Sequence, residues 1–255
     1  MGPESQATQN GHSRDTLPRG LLDLGEAREV RIADGAVAAP TDAPFDGEIR
    51  QVSVVMADLR GFTTFCERVS PERMSRVLNE YLTVMVDVIL GRHGRVQDFI
   101  GDGILGVFGA PGHDPQHAWH AALTALEMQV AIRRLSGRWE REGGPSFALG
   151  VAVHSGEAFA GAVGSPRQRK YAVVGDPVNT VARLEELNRT LGTGIVVSGD
   201  TVAMVRDLVD VLPRGSFAVR GRSHAVEVFE LLGLHAPGWR LASCTDRETR
   251  TPPEA

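Results

Sequence analysis

The chain has 255 residues, 42% of them hydrophobic, and a net charge of −5 from 27 Lys and Arg against 32 Asp and Glu. That is enough apolar matter to bury one full core with residues left over for tails. The acidic balance excludes a basic surface for nucleic acid or anionic lipid, and two cysteines, Cys66 and Cys244, exclude a disulfide framework.

Residues 1–48 are rich in Gly, Pro, Ala, Asp and Ser and read as a flexible arm without an apolar signal region. Gly2 does not open a myristoylation motif, because Pro3 follows it and Gln6 stands where Ser or Thr is needed. No run of about 18 apolar residues appears, so no membrane span is expected, and the cysteine usage points to a reducing cytoplasm. The globular part is expected over 49–233, with a polar tail over 234–255.

The first strand is predicted over Gln51 to Ala57, apolar on both faces as a central strand is. A helix should start at Pro71, with Ser70 as N-cap and Met74, Val77, Leu78, Tyr81, Leu82 and Met85 at helical spacing. Arg95 to Gly109 reads as a hairpin with Asp102 at its tip. A second helix is predicted from Pro115 to Leu135 with Trp119, Ala122, Leu123, Leu126 and Met128 inward. Two strands, Phe147 to Val153 and Ala158 to Val163, should flank a His154-Ser155-Gly156-Glu157 turn. A helix carries Asn179 to Leu187. Short strands near Ile195 to Val197, Phe217 to Val219 and Val226 to Leu231 close the domain, with a helix from Asp200 to Leu208 after the first. His113, His117 and His120 read as solvent-facing residues at a helix start rather than a zinc site, and Arg167-Gln168-Arg169-Lys170, a run that could touch a triphosphate or a partner, reads first as a solvated loop.

Chemistry concentrates at strand ends. Asp58 ends the first strand and Asp102 caps the hairpin that should pair beside it, so two carboxylates converge at one sheet edge. Such a rim suits Mg²⁺ or Mn²⁺, hard cations that take oxygen ligands. Taken alone, two turn aspartates read first as solvated loop residues. The segment Leu59-Arg60-Gly61-Phe62-Thr63-Thr64 is a tight turn toward a helix whose backbone N–H groups can hold a polyphosphate. Neither a Walker-type Gly-Lys-Ser/Thr nor a Gly-x-Gly-x-x-Gly occurs.

Three blocks, Met56-Ala57-Asp58-Leu59-Arg60-Gly61-Phe62-Thr63, the run Phe99 to Pro111, and Val174-Gly175-Asp176-Pro177-Val178-Asn179-Thr180-Val181-Ala182-Arg183-Leu184-Glu185, resemble the signature of class III adenylate/guanylate cyclases. The likeness runs from about Gln51 to Leu232. It implies an α/β fold (α+β), with a ferredoxin-like βαββαβ palm-type core and a small C-terminal extension. It further implies a nucleotidyl cyclase that turns a nucleoside triphosphate, ATP first, into a 3′,5′-cyclic monophosphate and pyrophosphate with two divalent cations, Mg²⁺ or Mn²⁺. Residue by residue, the resemblance makes Asp58, Asp102 and the Leu59 carbonyl metal ligands, and Gly61, Phe62, Thr63 and Arg220 phosphate contacts. Asn179 becomes the ribose-orienting and Arg183 the transition-state residue. It implies a head-to-tail homodimer sharing its active sites.

The base-selecting positions depart from the pattern. Asp98 stands where adenylate cyclases carry Lys and many guanylate cyclases Glu, and Ala172 where Asp, Thr or Cys is usual. By its chemistry a carboxylate at 98 leans toward guanine or a relaxed pocket open even to a pyrimidine. Two other classes are a silent cyclase-homology pairing module, against which stand the intact Asp58, Asp102, Asn179 and Arg183, and a dinucleotide cyclase, whose Gly-Gly-Asp-Glu-Phe signature is missing.

Overall fold

A computed structural model describes residues 47–219, 222 and 224–235. An eight-stranded sheet runs in the order β2-β3-β1-β4-β6-β8-β7, with β5 paired to β4. Its first four strands, β1 (Gly47–Arg60), β2 (Arg95–Ile100), β3 (Gly103–Phe108) and β4 (Ala148–Ser165), with helices α2 (Pro71–Gly91) and α3 (His117–Arg141), form the expected βαββαβ core. Around it lie α1 (Phe62–Cys66), β5 (Gln168–Val174), α4 (Asp176–Leu191), β6 (Ile195–Ser198), α5 (Gly199–Val205), β7 (Val209–Phe217) and β8 (Val226–Leu234).

β1 is central because Val52 to Val55 are buried on both faces. Val52 and Val54 pack in one cluster with Val181 and Leu184 of α4. Alternation therefore sends Asp58, of the same parity, toward the α4 side. Ser70 caps α2 by accepting from the Arg73 N–H, and Val77, Tyr81, Met85 and Ile89 form its buried stripe.

Six expectations are corrected. The two strands predicted around His154 to Glu157 are one 18-residue strand, β4, since Ala148 to Gly161 pair without a break with β1 and leave no backbone free to turn. Gly156 is there for close approach: a Cβ would meet the Pro177 ring of α4 at 3.1 Å. The charged run at 167–170 enters β5, a strand paired to β4 whose Lys and Arg suit its edge position. His117 is buried rather than solvent-facing, and α3 runs on to Arg141, burying Trp139, while Trp119 is only half-buried. Finally, the strand predicted at Phe217 to Val219 lies earlier, as β7, because it pairs with β8 from Val209 onward.

A chain of polar side chains crosses this core. His117 Nδ1 meets Ser53 Oγ (2.8 Å), Ser53 meets Ser155 (2.6 Å), Ser155 meets Thr201 (2.9 Å), Thr201 meets Ser198 (3.1 Å), and Ser198 meets His154 Nδ1 (2.8 Å). Five bonds share four hydroxyl hydrogens, so filling all of them requires at least one imidazole to donate from Nδ1. Burial holds the His154 pKa down at about 4, with Arg222 acting the same way against Asp200 and Asp176. The neutral ring is the form this interior accepts.

Candidate active site

The β1–β3 register aligns Ala57 with Ile104, which sets Asp58 opposite Gly103 and brings Asp102, one residue on, beside it. Gly101 makes the turn at φ 65°, and a Cβ at Gly103 would meet Met56 Cε at 2.9 Å and the Ile100 carbonyl at 3.0 Å, so glycine lets the hairpin tip lie close on β1 without displacing Met56. Asp102 stands close enough to Asp58 for a side-chain hydrogen bond once one of the two carboxyls is protonated. Asp58 is pushed up to about 7, first by burial, then by the charges of Asp102 and Glu185 and that hydrogen bond, against the pull of Arg189.

Glu185 and Arg189 of α4 were not singled out from the sequence. Arg189 Nη2 donates to Asp58 Oδ2 at 3.1 Å, and Glu185, itself raised by burial, faces Arg60 at 4.0 Å across Gly150. Their spacing of four on α4 was a readable sign that they share a face; their side of the sheet was not. Among the described residues the buried Tyr81 hydroxyl has no hydrogen-bond partner, and burial and the three acids push its ionisation well up.

This donor set fits a hard divalent cation. Its side chains offer oxygen only, the Leu59 carbonyl is adjacent, and a half-buried cluster of like charges calls for a counter-cation. Among the described residues no group of three or more His, Cys, Asp or Glu is arranged to hold a metal by itself. Any such ion would need further oxygens from backbone and substrate.

Gly61 adopts φ 85°, and α1 begins at once after it. Phe62 is buried against Phe147 at 5.9 Å between ring centroids, so its side chain anchors the loop and only its backbone remains for a ligand. Gly61 and Thr63 are exposed. Asn179 and Arg183 lie on the exposed face of α4, where Arg183 Nη1 donates to Glu186 at 2.9 Å. They stand apart from the acids of their own chain: Arg183 precedes Arg189 by six residues, about 9 Å along the axis and on a different face. Arg220 lies outside the described residues.

Asp98 meets β5. Lys170 Nζ donates to its Oδ2 at 2.6 Å, while Ala172, two residues on, is buried. Neither Lys170 nor Gln97, the residue before Asp98, was assigned to a site, because contacts between residues 72 and 76 apart leave no local pattern.

The sequence profile of the adenylate and guanylate cyclase catalytic domain matches residues 46–233. The chain belongs to that family. This cyclase-family chain is 32% identical over 185 residues to adenylate cyclase 1 of Rhizobium meliloti (strain 1021), covering 72% of this chain and 28% of that protein. It is 28% identical over 193 residues to an adenylate cyclase of Anabaena cylindrica, covering 71% of this chain and 37% of that one. It thus spans about a third of the length of these relatives. The crystal structure of the guanylyl cyclase Cya2 is similar at a TM-score of 0.70 and 33% identity, covering 77% of this chain and 99% of that one. The adenylyl cyclase CyaB from P. aeruginosa shares the fold at a TM-score of 0.69 and 24% identity, over 73% of this chain and 96% of that one. Among the described residues no helix is long and apolar enough to cross a membrane.

Proposed function

We propose that this chain is a nucleotidyl cyclase acting on ATP, and that the convergence of Asp58 and Asp102 at the β1–β3 rim carries the reaction. Two divalent cations held by these carboxylates and the Leu59 carbonyl would lower the pKa of the ribose 3′-hydroxyl and neutralise the triphosphate. The chain's own residues do the rest. The Gly61 to Thr63 backbone and Arg220 hold phosphate oxygens, and Asn179 orients the ribose. Arg183 offsets the charge that grows as the 3′-oxygen bonds to the α-phosphorus and pyrophosphate leaves.

The exposed face carrying Asn179 and Arg183 meets the acid rim of a second copy, so each site is shared in a homodimer. Supporting this, Phe99, Ile100 and Val174 are 50%, 57% and 49% exposed, an apolar surface that pairing would cover. The domain limits 49–233 fit the same reading.

The test is product identification by liquid chromatography and mass spectrometry, with ATP, GTP, CTP and UTP offered separately in Mn²⁺ or Mg²⁺. Cyclic AMP as the main product, lost in Asp102→Ala, is expected. Cyclic GMP would favour the second reading, a guanylate cyclase, which the carboxylate at 98 and the likeness to Cya2 recommend. No cyclic product from any triphosphate would leave a silent pairing module.

A further inference from the structure

We propose that Lys170 is a base-selecting residue, and that Lys170 and Asp98 form a reversed charge pair, cation from β5 and carboxylate from β2, that reads the amino group and adjoining ring nitrogen of adenine. The inference rests on the cyclase reading above.

The pair is a built feature. β2 and β5 share no ladder, yet side chains lace them together. The Gln97 amide takes both backbone groups of Val173, donating to its carbonyl at 3.0 Å and accepting from its N–H at 2.7 Å. The Arg95 guanidinium lies 5.0 Å from the Tyr171 ring centroid and reaches the Tyr171 carbonyl at 3.5 Å. An irregularity in the β2–β3 register between Val96 and Asp98 frees Gln97 for this grip and re-aims the residue after it. Lys170 then donates to Asp98 Oδ2 at 2.6 Å, with the two side chains 44% and 51% exposed and open to a ligand. Ala172 is buried and brings no polar side chain, so Asp98 and Lys170 are left to read the base here.

With Oδ2 engaged, and with no other partner for either group among the described residues, the pair offers a second carboxylate oxygen and two further ammonium N–H groups. Adenine presents an exocyclic amino donor beside the N1 acceptor, and it takes one bond from each member while the charges stay paired. Guanine in the same orientation presents its O6 acceptor to the carboxylate and its N1–H donor to the ammonium, a mismatch at both positions, and turning N1–H and N2–H₂ toward both carboxylate oxygens instead sets it in competition with Lys170 for Oδ2. A bare carboxylate at 98 would favour guanine; the lysine tilts the same position toward adenine. Losing a hydrogen bond to a charged group is worth on the order of 10- to 100-fold in kcat/KM.

The experiment measures kcat/KM for ATP and GTP in Mn²⁺ for the full chain, for Lys170→Met, and for the double exchange Asp98→Lys with Lys170→Asp. Wild type should prefer ATP. Lys170→Met should lose about 10- to 100-fold on ATP and move the ATP:GTP ratio at least about tenfold toward GTP. The double exchange should return that ratio to within a few-fold of wild type. An unchanged ratio in Lys170→Met, an equal loss for both triphosphates, or a wild-type preference for GTP overturns the inference and leaves the cyclase reading standing. A wild type that cyclises no triphosphate removes that reading and the inference with it.

Discussion

The β1–β3 rim and the β2–β5 seam both carry aspartates, and they handle charge in opposite ways. At the rim, Asp58, Asp102 and Glu185 gather half-buried with Arg189 and Arg60 at their margin, and Asp58 holds its proton up to about 7. At the seam, Asp98 is exposed and paired at short range with Lys170. A region that collects like charge is strained toward an incoming cation, whereas one that pairs its charges can be rewritten without threatening the fold. The rim is therefore where chemistry should fail on mutation, and the seam where selectivity should change.

The largest effect expected is at the rim. Asp58→Asn or Asp102→Ala should lower cyclic-nucleotide formation by about 10³-fold or more. Asp58→Asn should at the same time stabilise the metal-free protein by about 1 to 3 kcal/mol in denaturant unfolding, because it relieves like-charge crowding. Lost activity with lost stability would break the contrast. Mixing Asp58→Ala with Arg183→Ala chains sharpens it further. If sites are shared, half the dimers are mixed with one intact site of two, and about a quarter of wild-type activity returns. No recovery in the mixture would refute shared sites.

The buried imidazole offers a third treatment of charge, its exclusion. Since His154 is held at about 4 in the fold against an ordinary 6.5, the unfolded chain binds more protons between those values. Its contribution is therefore whole above pH 6.5 and is lost as pH falls toward 4, by about 3 kcal/mol, with Asp200, Asp176 and Arg222 as the charged groups facing it. Thermal unfolding across pH 7 to 4 should show this slope, and His154→Asn should flatten it. The smallest effect belongs to the seam: Gln97→Ala should cost about 1 to 2 kcal/mol by freeing both Val173 backbone groups, with a few-fold narrowing of base preference. A loss of all activity there would mean that the seam is part of the chemistry.

Much of this was legible in the sequence. Helical spacing from Met74 to Met85 foretold α2, and the Gly101-Asp102-Gly103 turn foretold the hairpin, because these depend on residues a few positions apart. Asp58 and Asp102 could be brought together on paper since hairpin pairing beside a central strand leaves little choice of edge. Glycine misled at Gly156, where it serves close packing rather than a turn, and the charges of Gln168 to Lys170 concealed an edge strand. His117 looked solvated because its partner, Ser53, lies 64 residues away.

What the sequence alone determined is the three long helices, the β2–β3 hairpin and the identity of the acids at the strand ends, for these follow from local periodicity and turn chemistry. Only the tertiary structure decided that Arg189 reaches Asp58 across 131 residues and that Lys170 reaches Asp98 across 72. Such contacts follow from sheet order, register and a single bulge, and a one-residue slip in any of them would send the side chain to the opposite face.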